Sequence, residues 1–234
     1  MNTSTTTDAG VSTRPDIRVK VPRFYRYFRI GKRGYIVMEF IDGISLDKIP
    51  FEKIRDDGLI EPLARAVCHL FAKIRPRSLP VESTDDAEGS AGPANGGVPR
   101  GYLFSEDGAL EPINSVTSLN RWINQRYRLK NGETGFSFSI SDCGFCHLDL
   151  ARRNFVLLPD GCSFALLDWE HAGFYPRVFE VYCILFVGIH DFYFCEEFVK
   201  GYKKYTTPEI KDGDDLERMI DMLDRVYKNN LRYT

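Results

Sequence analysis

The pattern of apolar and polar positions predicts a short β-rich region followed by a mainly helical one. Two apolar runs, 24–30 and 35–41, flank the turn residues of 31–34, which is typical of a β-hairpin. Amphipathic helices require an apolar residue every three or four positions. That spacing recurs over 59–75, 117–130, 181–204 and 215–231.

Two stretches lack the large apolar side chains that a folded element needs. Residues 1–16 are rich in Thr, and residues 80–101 are rich in Gly, Pro, Ser and Asp. Such compositions bury too little apolar surface to offset the entropy lost on ordering. We therefore expect a disordered leader at 1–16 and a flexible loop at 80–101.

The overall composition is that of an ordinary globular protein. Of 234 residues, 43% are hydrophobic and 27% charged, and the formal net charge is −2. No basic block predicts a nucleic-acid or anionic-membrane partner, and no apolar stretch reaches the roughly 18 residues of a membrane span. The six cysteines lie mostly in apolar runs without a secretory signal, which predicts reduced thiols and a cytoplasmic location. The sequence does not indicate the oligomeric state.

The stretch from 146 to 168 concentrates polar residues at informative positions. His147, Asp149 and Asn154 form the pattern H-x-D-x-x-x-x-N. Apolar strands at 155–158 and 164–167 follow, joined by a Pro-Asp-Gly turn, and Asp168 comes directly after the second. In an antiparallel hairpin the start of one strand lies beside the end of the other, so Asn154 and Asp168 should converge. Asp149, in the loop before the hairpin, can reach the same place.

Two carboxylates and one amide oxygen at one place suit a magnesium ion that also holds substrate phosphates. Phosphoryl transfer uses such equipment together with a carboxylate that accepts the proton of the attacking hydroxyl. We assign Asp149 as the base or hydroxyl-orienting group, and Asn154 and Asp168 as metal ligands. His147 is expected to shape the loop by hydrogen bonding.

These segments resemble a known family. CHLDLARRNFVLL followed by ALLDWEHAGFYP resembles the catalytic-loop and metal-binding segments of the aminoglycoside phosphotransferase and choline kinase group, and is closest to fungal members reading H-G-D-L-x-P-R-N and D-W-E-x-A-G-x-Y-P. YIVMEFIDGISL resembles the hinge strand of the same family. The resemblance implies that Met38, Glu39 and Phe40 lie near the adenine of ATP. It also implies that Asp149 is catalytic and that Asn154 and Asp168 bind Mg²⁺.

The chain departs from the family pattern at several points. Leu148 stands where these relatives usually have Gly, and Arg152 where they often have Pro. Kinase-like enzymes also place a Gly-rich loop and a strand Lys before the hinge, yet Lys20 lies too close to the hinge to fill that place. The amino-terminal lobe is therefore expected to be truncated. Glu170 is expected either to assist the metal or to pair with Arg152 or Arg153.

Together these observations predict an α+β, protein-kinase-like fold with a reduced amino-terminal β lobe and hinge at 17–49. A mainly helical carboxyl-terminal lobe at 50–234 would carry the catalytic loop and the metal-binding hairpin. The expected function is ATP-dependent, Mg²⁺-assisted phosphoryl transfer to a hydroxyl of a small molecule. The acceptor is not specified by the sequence.

Two other interpretations remain. A catalytically inactive kinase-like binding or scaffold protein would explain the missing Gly-rich loop and phosphate-binding Lys. Cys143-Gly-Phe-Cys146 would fit a zinc or dithiol site. Zinc would need two further ligands, however, so buried strand cysteines are the simpler interpretation of that motif.

Overall fold

A computed structural model describes residues 17–76, 90–94, 96–105, 107–128, 135–188 and 191–233. The predicted leader at 1–16 lies outside the described residues, as do positions 80–89 of the predicted loop and 129–130 of a predicted helix. Small β-sheets and helices alternate within the described ranges, which confirms the α+β class. Among the helices in these ranges, none is both long and apolar enough to cross a lipid bilayer.

The first predicted hairpin forms, with a tighter turn than the composition suggested. Strands β2 (Phe24–Ile30) and β3 (Arg33–Met38) pair antiparallel across a turn made by residues 31–32. Gly31 adopts φ +60°, which glycine reaches without the steric cost of a Cβ. Residues 33–34, expected in the turn, therefore begin β3, and the strand ends earlier than the apolar run does.

The second predicted hairpin is the middle of a four-stranded sheet. Its strands, β7 (Phe155–Leu157) and β8 (Ser163–Leu166), pair antiparallel as expected. β1 (Arg18–Lys20) runs parallel to β8, and β4 (Ile44–Ser45) runs antiparallel to β7, so the sheet order is β1-β8-β7-β4. Two strands from the amino-terminal region thus border the hairpin that carries the predicted metal ligands.

A separate three-stranded antiparallel sheet supports the start of the predicted catalytic loop, which is the segment between β6 and β7. It contains β5 (Gly92–Pro93), β6 (Cys143–Cys146) and β9 (Gly173–Pro176), in the order β5-β9-β6. β5 falls inside the stretch predicted to be a flexible loop. It is held because the Ala94 N–H donates to the Ala172 carbonyl at 3.0 Å and extends the pairing with β9.

The helices agree with the predicted patterns, except that one predicted helix is divided into two. The pattern over 181–204 corresponds to two helices, of which the first ends at Val187 and the second begins at Phe192. The other three helical patterns each match a single helix to within about three residues at each end. The helices of the described ranges are α1 (Phe51–Asp56), α2 (Ile60–Lys73), α3 (Val116–Tyr127), α4 (Val178–Val187), α5 (Phe192–Tyr205) and α6 (Asp214–Tyr233).

Two clusters of buried apolar residues form the core. The first, called here the α2–α5 core, includes Leu63, Phe155 and Phe198. The second, the α3–α6 core, includes Trp122 and Leu223. The segment between β6 and β7, which contains the predicted catalytic residues, contributes side chains to both.

Candidate active site

Two buried leucines fix the backbone on either side of Asp149. Leu148 packs into the α3–α6 core and Leu150 into the α2–α5 core. Leu148 adopts φ +63°, a conformation that costs a residue with a Cβ about 1–2 kcal/mol. Burial of a leucine side chain contributes about 1.5–3 kcal/mol, which offsets that cost. Leucine can therefore occupy this position, and Asp149 is held between two packed cores.

His147 links the catalytic loop to the end of β8. The Asp149 N–H donates to Nδ1 of His147 at 3.3 Å, so Nε2 carries the proton and donates to the Leu167 carbonyl at 2.9 Å. The ring is fully buried, and burial lowers its pKa to about 4. The imidazole is therefore neutral at physiological pH and serves as a hydrogen-bonded brace, as the sequence indicated.

Glu180, near the start of α4, holds the same loop from the opposite side. Its carboxyl group accepts hydrogen bonds from the backbone N–H groups of His147 and Leu148, the latter at 3.0 Å. The side chain is fully buried, and desolvation raises its pKa to about 8 despite these bonds. Sequence reasoning missed Glu180. Its only signal is that it is the single charged residue of the helix VFEVYCILFV.

Asn154 contacts Asp149 directly. Its Nδ2 donates to the Asp149 carbonyl and to Oδ2 of the same residue, both at 2.8 Å. Both residues are buried. Because the two amide hydrogens are used by Asp149, the amide oxygen is the atom of Asn154 that remains to bind a cation.

Asp168 lies just after β8, at the open end of the hairpin where β7 begins. Phe155 pairs with Leu166, and the Leu167 N–H donates to the Asn154 carbonyl at 2.9 Å, so Asp168 is one residue beyond that bond. It adopts φ +62°, a region that Asp tolerates better than most residues. The predicted adjacency of the start and end of the hairpin is therefore present in the backbone.

The charges of both carboxylates act on the imidazole of His147. Asp149 and Asp168 both raise the pKa of His147 electrostatically, although burial outweighs them. The exit from β8 is fixed by Trp169, whose Nε1 donates to the Leu166 carbonyl at 2.9 Å and whose ring lies 4.8 Å from that of His147. Asp149 and Asp168 are thus both close to His147 on a well-packed support.

A cation and a tyrosine complete the surroundings of Asp149. Nη2 of Arg153 donates to both carboxylate oxygens of Asp149, at 2.8 and 2.6 Å, and to the Tyr102 hydroxyl at 3.0 Å. The Arg153 side chain is 48% exposed, whereas that of Asp149 is 6% exposed. Sequence reasoning missed Tyr102, which lies 47 residues before Asp149.

The expected pairing of Glu170 with Arg152 or Arg153 is wrong. Arg152 instead forms an ion pair with Asp191 and donates to the Ile49 carbonyl at 3.1 Å. Glu170 is exposed and lies 3.5 Å from Nε2 of His171. Arg152 and Arg153 both bind buried or partly buried acceptors, so neither forms an ion pair with the exposed Glu170.

The three predicted adenine-binding residues lie where the exposed hairpin ends. Met38 closes β3, and Phe40 is 87% exposed. The Glu39 carboxylate accepts from Nζ of Lys20 and from the Arg23 N–H, and these bonds lower its pKa. Among the described residues, no hydrogen bond or ion pair joins this segment to Asp149, Asn154 or Asp168.

The chain nevertheless leads from this hinge straight to the catalytic hairpin. The four Cα–Cα steps from Phe40 to Ile44 span at most about 14 Å, and Ile44 pairs with Leu157 in β7. Gly43 lets the strands approach, because a Cβ there would lie 2.4 Å from the Leu157 carbonyl oxygen. The hinge is therefore attached beside the hairpin, although its side chains do not touch the acidic residues.

The remaining metal and redox signals are weak. In the part of the chain that the structure describes, no three His, Cys, Asp or Glu side chains form a metal-binding group. A site built on Asp168 and the amide oxygen of Asn154 has a different composition and would rely on phosphate oxygens for the rest. Cys143 and Cys146 are buried free thiols in β6, and burial raises the pKa of both, that of Cys143 to about 12. Neither thiol has the low pKa of a reactive or metal-binding cysteine.

Residues 9–219 match the phosphotransferase enzyme family, known as APH. Because this match spans well over half of the sequence, the chain belongs to that family. No curated protein matched the chain.

Solved structures with a similar fold include two aminoglycoside phosphotransferases. An aminoglycoside-3'-phosphotransferase of type VIII shares 15% identity, with 88% of this chain and 73% of that chain covered and a TM-score of 0.49. The enzyme APH(3'')-Id from Streptomyces rimosus, solved with ADP and streptomycin, shares 20% identity, with coverages of 88% and 75% and a TM-score of 0.48. An ethanolamine kinase from Plasmodium vivax shares 14%, with 88% and 58% covered and a TM-score of 0.42.

Proposed function

We propose that the protein catalyses ATP-dependent, Mg²⁺-assisted phosphoryl transfer to a hydroxyl group of a small molecule. The observation that carries this proposal is the direct contact of Asn154 with Asp149, beside the backbone bond that precedes Asp168. Membership of the phosphotransferase enzyme family supports it. A cytoplasmic location, suggested by the reduced thiols, belongs to the same proposal.

In this reaction each residue has a distinct task. Asp149 accepts the proton of the acceptor hydroxyl as the bond from that oxygen to the γ-phosphorus forms. The bond from the γ-phosphorus to the bridging oxygen breaks, and ADP leaves with that oxygen. Asn154 and Asp168 would hold the magnesium ion, which supplies positive charge beside the phosphates when bound. His147 keeps the loop in place and does not exchange a proton.

The nucleotide base is assigned to the hinge. Met38, Glu39 and Phe40 run from the end of β3 towards β4. The Glu39 N–H already donates to the Arg23 carbonyl at 2.8 Å, so adenine would meet the remaining backbone groups of this segment edge-on. The exposed ring of Phe40 offers a face on which a base could stack. Binding of ATP there would direct the phosphates towards the hairpin, because β4 borders β7.

A turnover assay with a matched pair of variants tests the proposal. The purified protein is incubated with Mg·ATP and a panel of hydroxyl compounds that includes aminoglycosides and choline-like alcohols, and ADP formation is measured. Replacing Asp168 by Ala should abolish turnover. Replacing Asp56, an exposed acid on α1 that pairs with its neighbour Arg55, by Ala should leave turnover unchanged. Full activity in the Asp168 variant would refute the assigned site.

A second candidate is a kinase-like binding protein without catalysis. The ion pair of Lys20 with Glu39 favours it, because that lysine is engaged at the hinge instead of near Asp149. A thermal-shift titration separates the two candidates. Stabilisation by Mg·ATP together with turnover supports the enzyme, whereas a protein that shows neither supports the binding role.

A further inference from the structure

We propose that Arg153 binds the γ-phosphate of the nucleotide and so serves as the phosphate-binding cation of this site. The inference rests on the proposed phosphotransferase function and adds a residue to it. A triphosphate carries several negative charges, and the site already holds the two carboxylates of Asp149 and Asp168. A protein cation is therefore needed beside the metal.

The geometry of the guanidinium supports this role. Only Nη2 of Arg153 is occupied, by Asp149 and by the Tyr102 hydroxyl. Its Nε and Nη1 make no hydrogen bond to the described residues, and the side chain is half exposed. Three N–H donors thus remain, one on Nε and two on Nη1, and each can donate to a phosphate oxygen.

The anchoring of Arg153 places those donors where they are needed. Nη2 lies 2.6 Å from Oδ2 of Asp149. The carboxylate of Asp149 is the group proposed to receive the proton of the acceptor hydroxyl. Asn154, a proposed metal ligand, is the next residue in the chain. A phosphate oxygen bound by Nε or Nη1 of Arg153 would therefore lie close to the base, and the ion pair with Asp149 would stay intact.

The neighbouring cations are used elsewhere. Arg152 is largely buried and is bound to Asp191 and the Ile49 carbonyl. Lys20 is paired with Glu39 at the hinge. Within the described part of the chain, Arg153 is therefore the cation that lies against Asp149 with donors still unoccupied.

The test compares the affinities for ATP and ADP, which differ only by the γ-phosphate. Binding of Mg·ATP and Mg·ADP is titrated by calorimetry for the intact chain, for Arg153→Gln and for Arg153→Lys. Loss of a charge-assisted bond to phosphate should weaken ATP binding about tenfold to a hundredfold and leave ADP binding within threefold. Arg153→Lys should fall between the other two proteins. Arg121→Gln removes an exposed arginine on α3 and should bind both nucleotides like the unchanged chain.

Each outcome decides the question. An unchanged ratio of ATP to ADP affinity in Arg153→Gln would overturn the inference. An equal loss of affinity for both nucleotides, together with a lower melting temperature, would also overturn it, because Arg153 would then only support the loop. If the unchanged chain binds and turns over ATP in either case, the proposed function stands. Failure of the unchanged chain to bind any nucleotide would instead refute the proposed function itself.

Discussion

Two β-hairpins in the described part of the chain have similar local sequences but differ in burial. In β7–β8, Phe155, Phe164 and Leu166 are fully buried. In β2–β3, by contrast, every residue except the partly buried Phe28 is exposed, including Phe24 at 64%. Both are antiparallel pairs rich in aromatic and β-branched residues. The difference teaches that local sequence decides whether a hairpin forms, whereas neighbouring strands and helices decide whether it becomes a rigid support.

The neighbours differ in a simple way. β1 and β4 pair with the outer edges of β8 and β7, so the second hairpin has no free edge within the described sheet. The described sheet of β2 and β3 contains only those two strands, and a two-stranded sheet alone is marginally stable in water. The predicted catalytic residues are attached to the supported hairpin, and the predicted hinge residues to the unsupported one.

The largest expected effect is on the buried hairpin. Phe164→Ala removes a fully buried ring from β8 and leaves a cavity in the α2–α5 core. We expect a loss of about 3–5 kcal/mol in the free energy of unfolding. Urea denaturation followed by circular dichroism measures it. A loss below about 1 kcal/mol would show that this hairpin is not the supported one.

A smaller effect should follow from glycine replacement beside the two hairpins. Gly43→Ala would place a Cβ 2.4 Å from the backbone oxygen of Leu157, so β4 must move away from β7. We expect a destabilisation of about 1–3 kcal/mol. Gly34→Ala in β3 meets only the movable side chain of Tyr27, at 3.0 Å, and should cost less than about 1 kcal/mol. Melting temperatures of the two variants compare them, and equal losses would contradict the account.

The buried acid behind the catalytic loop predicts a pH dependence. Folding raises the pKa of Glu180 from 4.5 to about 8, so the folded state holds more protons between those values and loses stability as pH rises. Folding lowers the pKa of His147 from 6.5 to about 4, so stability is lost as pH falls from 6.5 towards 4. The two contributions oppose each other between pH 4.5 and 6.5.

Above pH 6.5, Glu180 is the one of these two residues that still makes stability depend on pH. We therefore expect the free energy of unfolding to fall between pH 6.5 and 8, by at most about 1.4 kcal/mol per pH unit. In Glu180→Gln this decline should disappear, although the variant is less stable throughout. Denaturant titrations at several pH values measure it. A decline of equal slope in both proteins would exclude Glu180 as its source.

The smallest effect is expected on the exposed hairpin. Phe24→Ala removes a ring that is 64% exposed and should change the free energy of unfolding by no more than about 0.5 kcal/mol. The same denaturation experiment as for Phe164 measures it. A loss comparable to that of Phe164→Ala would mean that β2–β3 is covered by a partner in solution.

Local features of the sequence were enough to predict the catalytic hairpin. Two continuous apolar runs, a Pro-Asp-Gly turn and the five-residue spacing of Asp149 and Asn154 all act over short distances. Strand pairing then places Asp168 without further information. The helical patterns were readable for the same reason, since amphipathic spacing reports which face is buried.

Contacts between distant segments could not be predicted in this way. Glu180 lies 33 residues after His147, and Tyr102 lies 47 residues before Asp149. The parallel pairing of β1 with β8, such as Arg18 with Ser163, joins distant parts of the sequence and has no local signal. The same holds for β5, whose Gly-Pro composition resembles a loop and which is held only by pairing with β9.

The central claim is that Asn154 and Asp168 bind a metal–phosphate complex while Asp149 serves as the base. Electron paramagnetic resonance of Mn²⁺ in the presence of ADP tests it most directly, because bound and free manganese give distinct signals. The account predicts tight Mn·ADP binding by the unchanged chain and by Asp149→Asn, and at least tenfold weaker binding by Asn154→Ala and Asp168→Ala. Equal Mn·ADP affinity in all four proteins would contradict it.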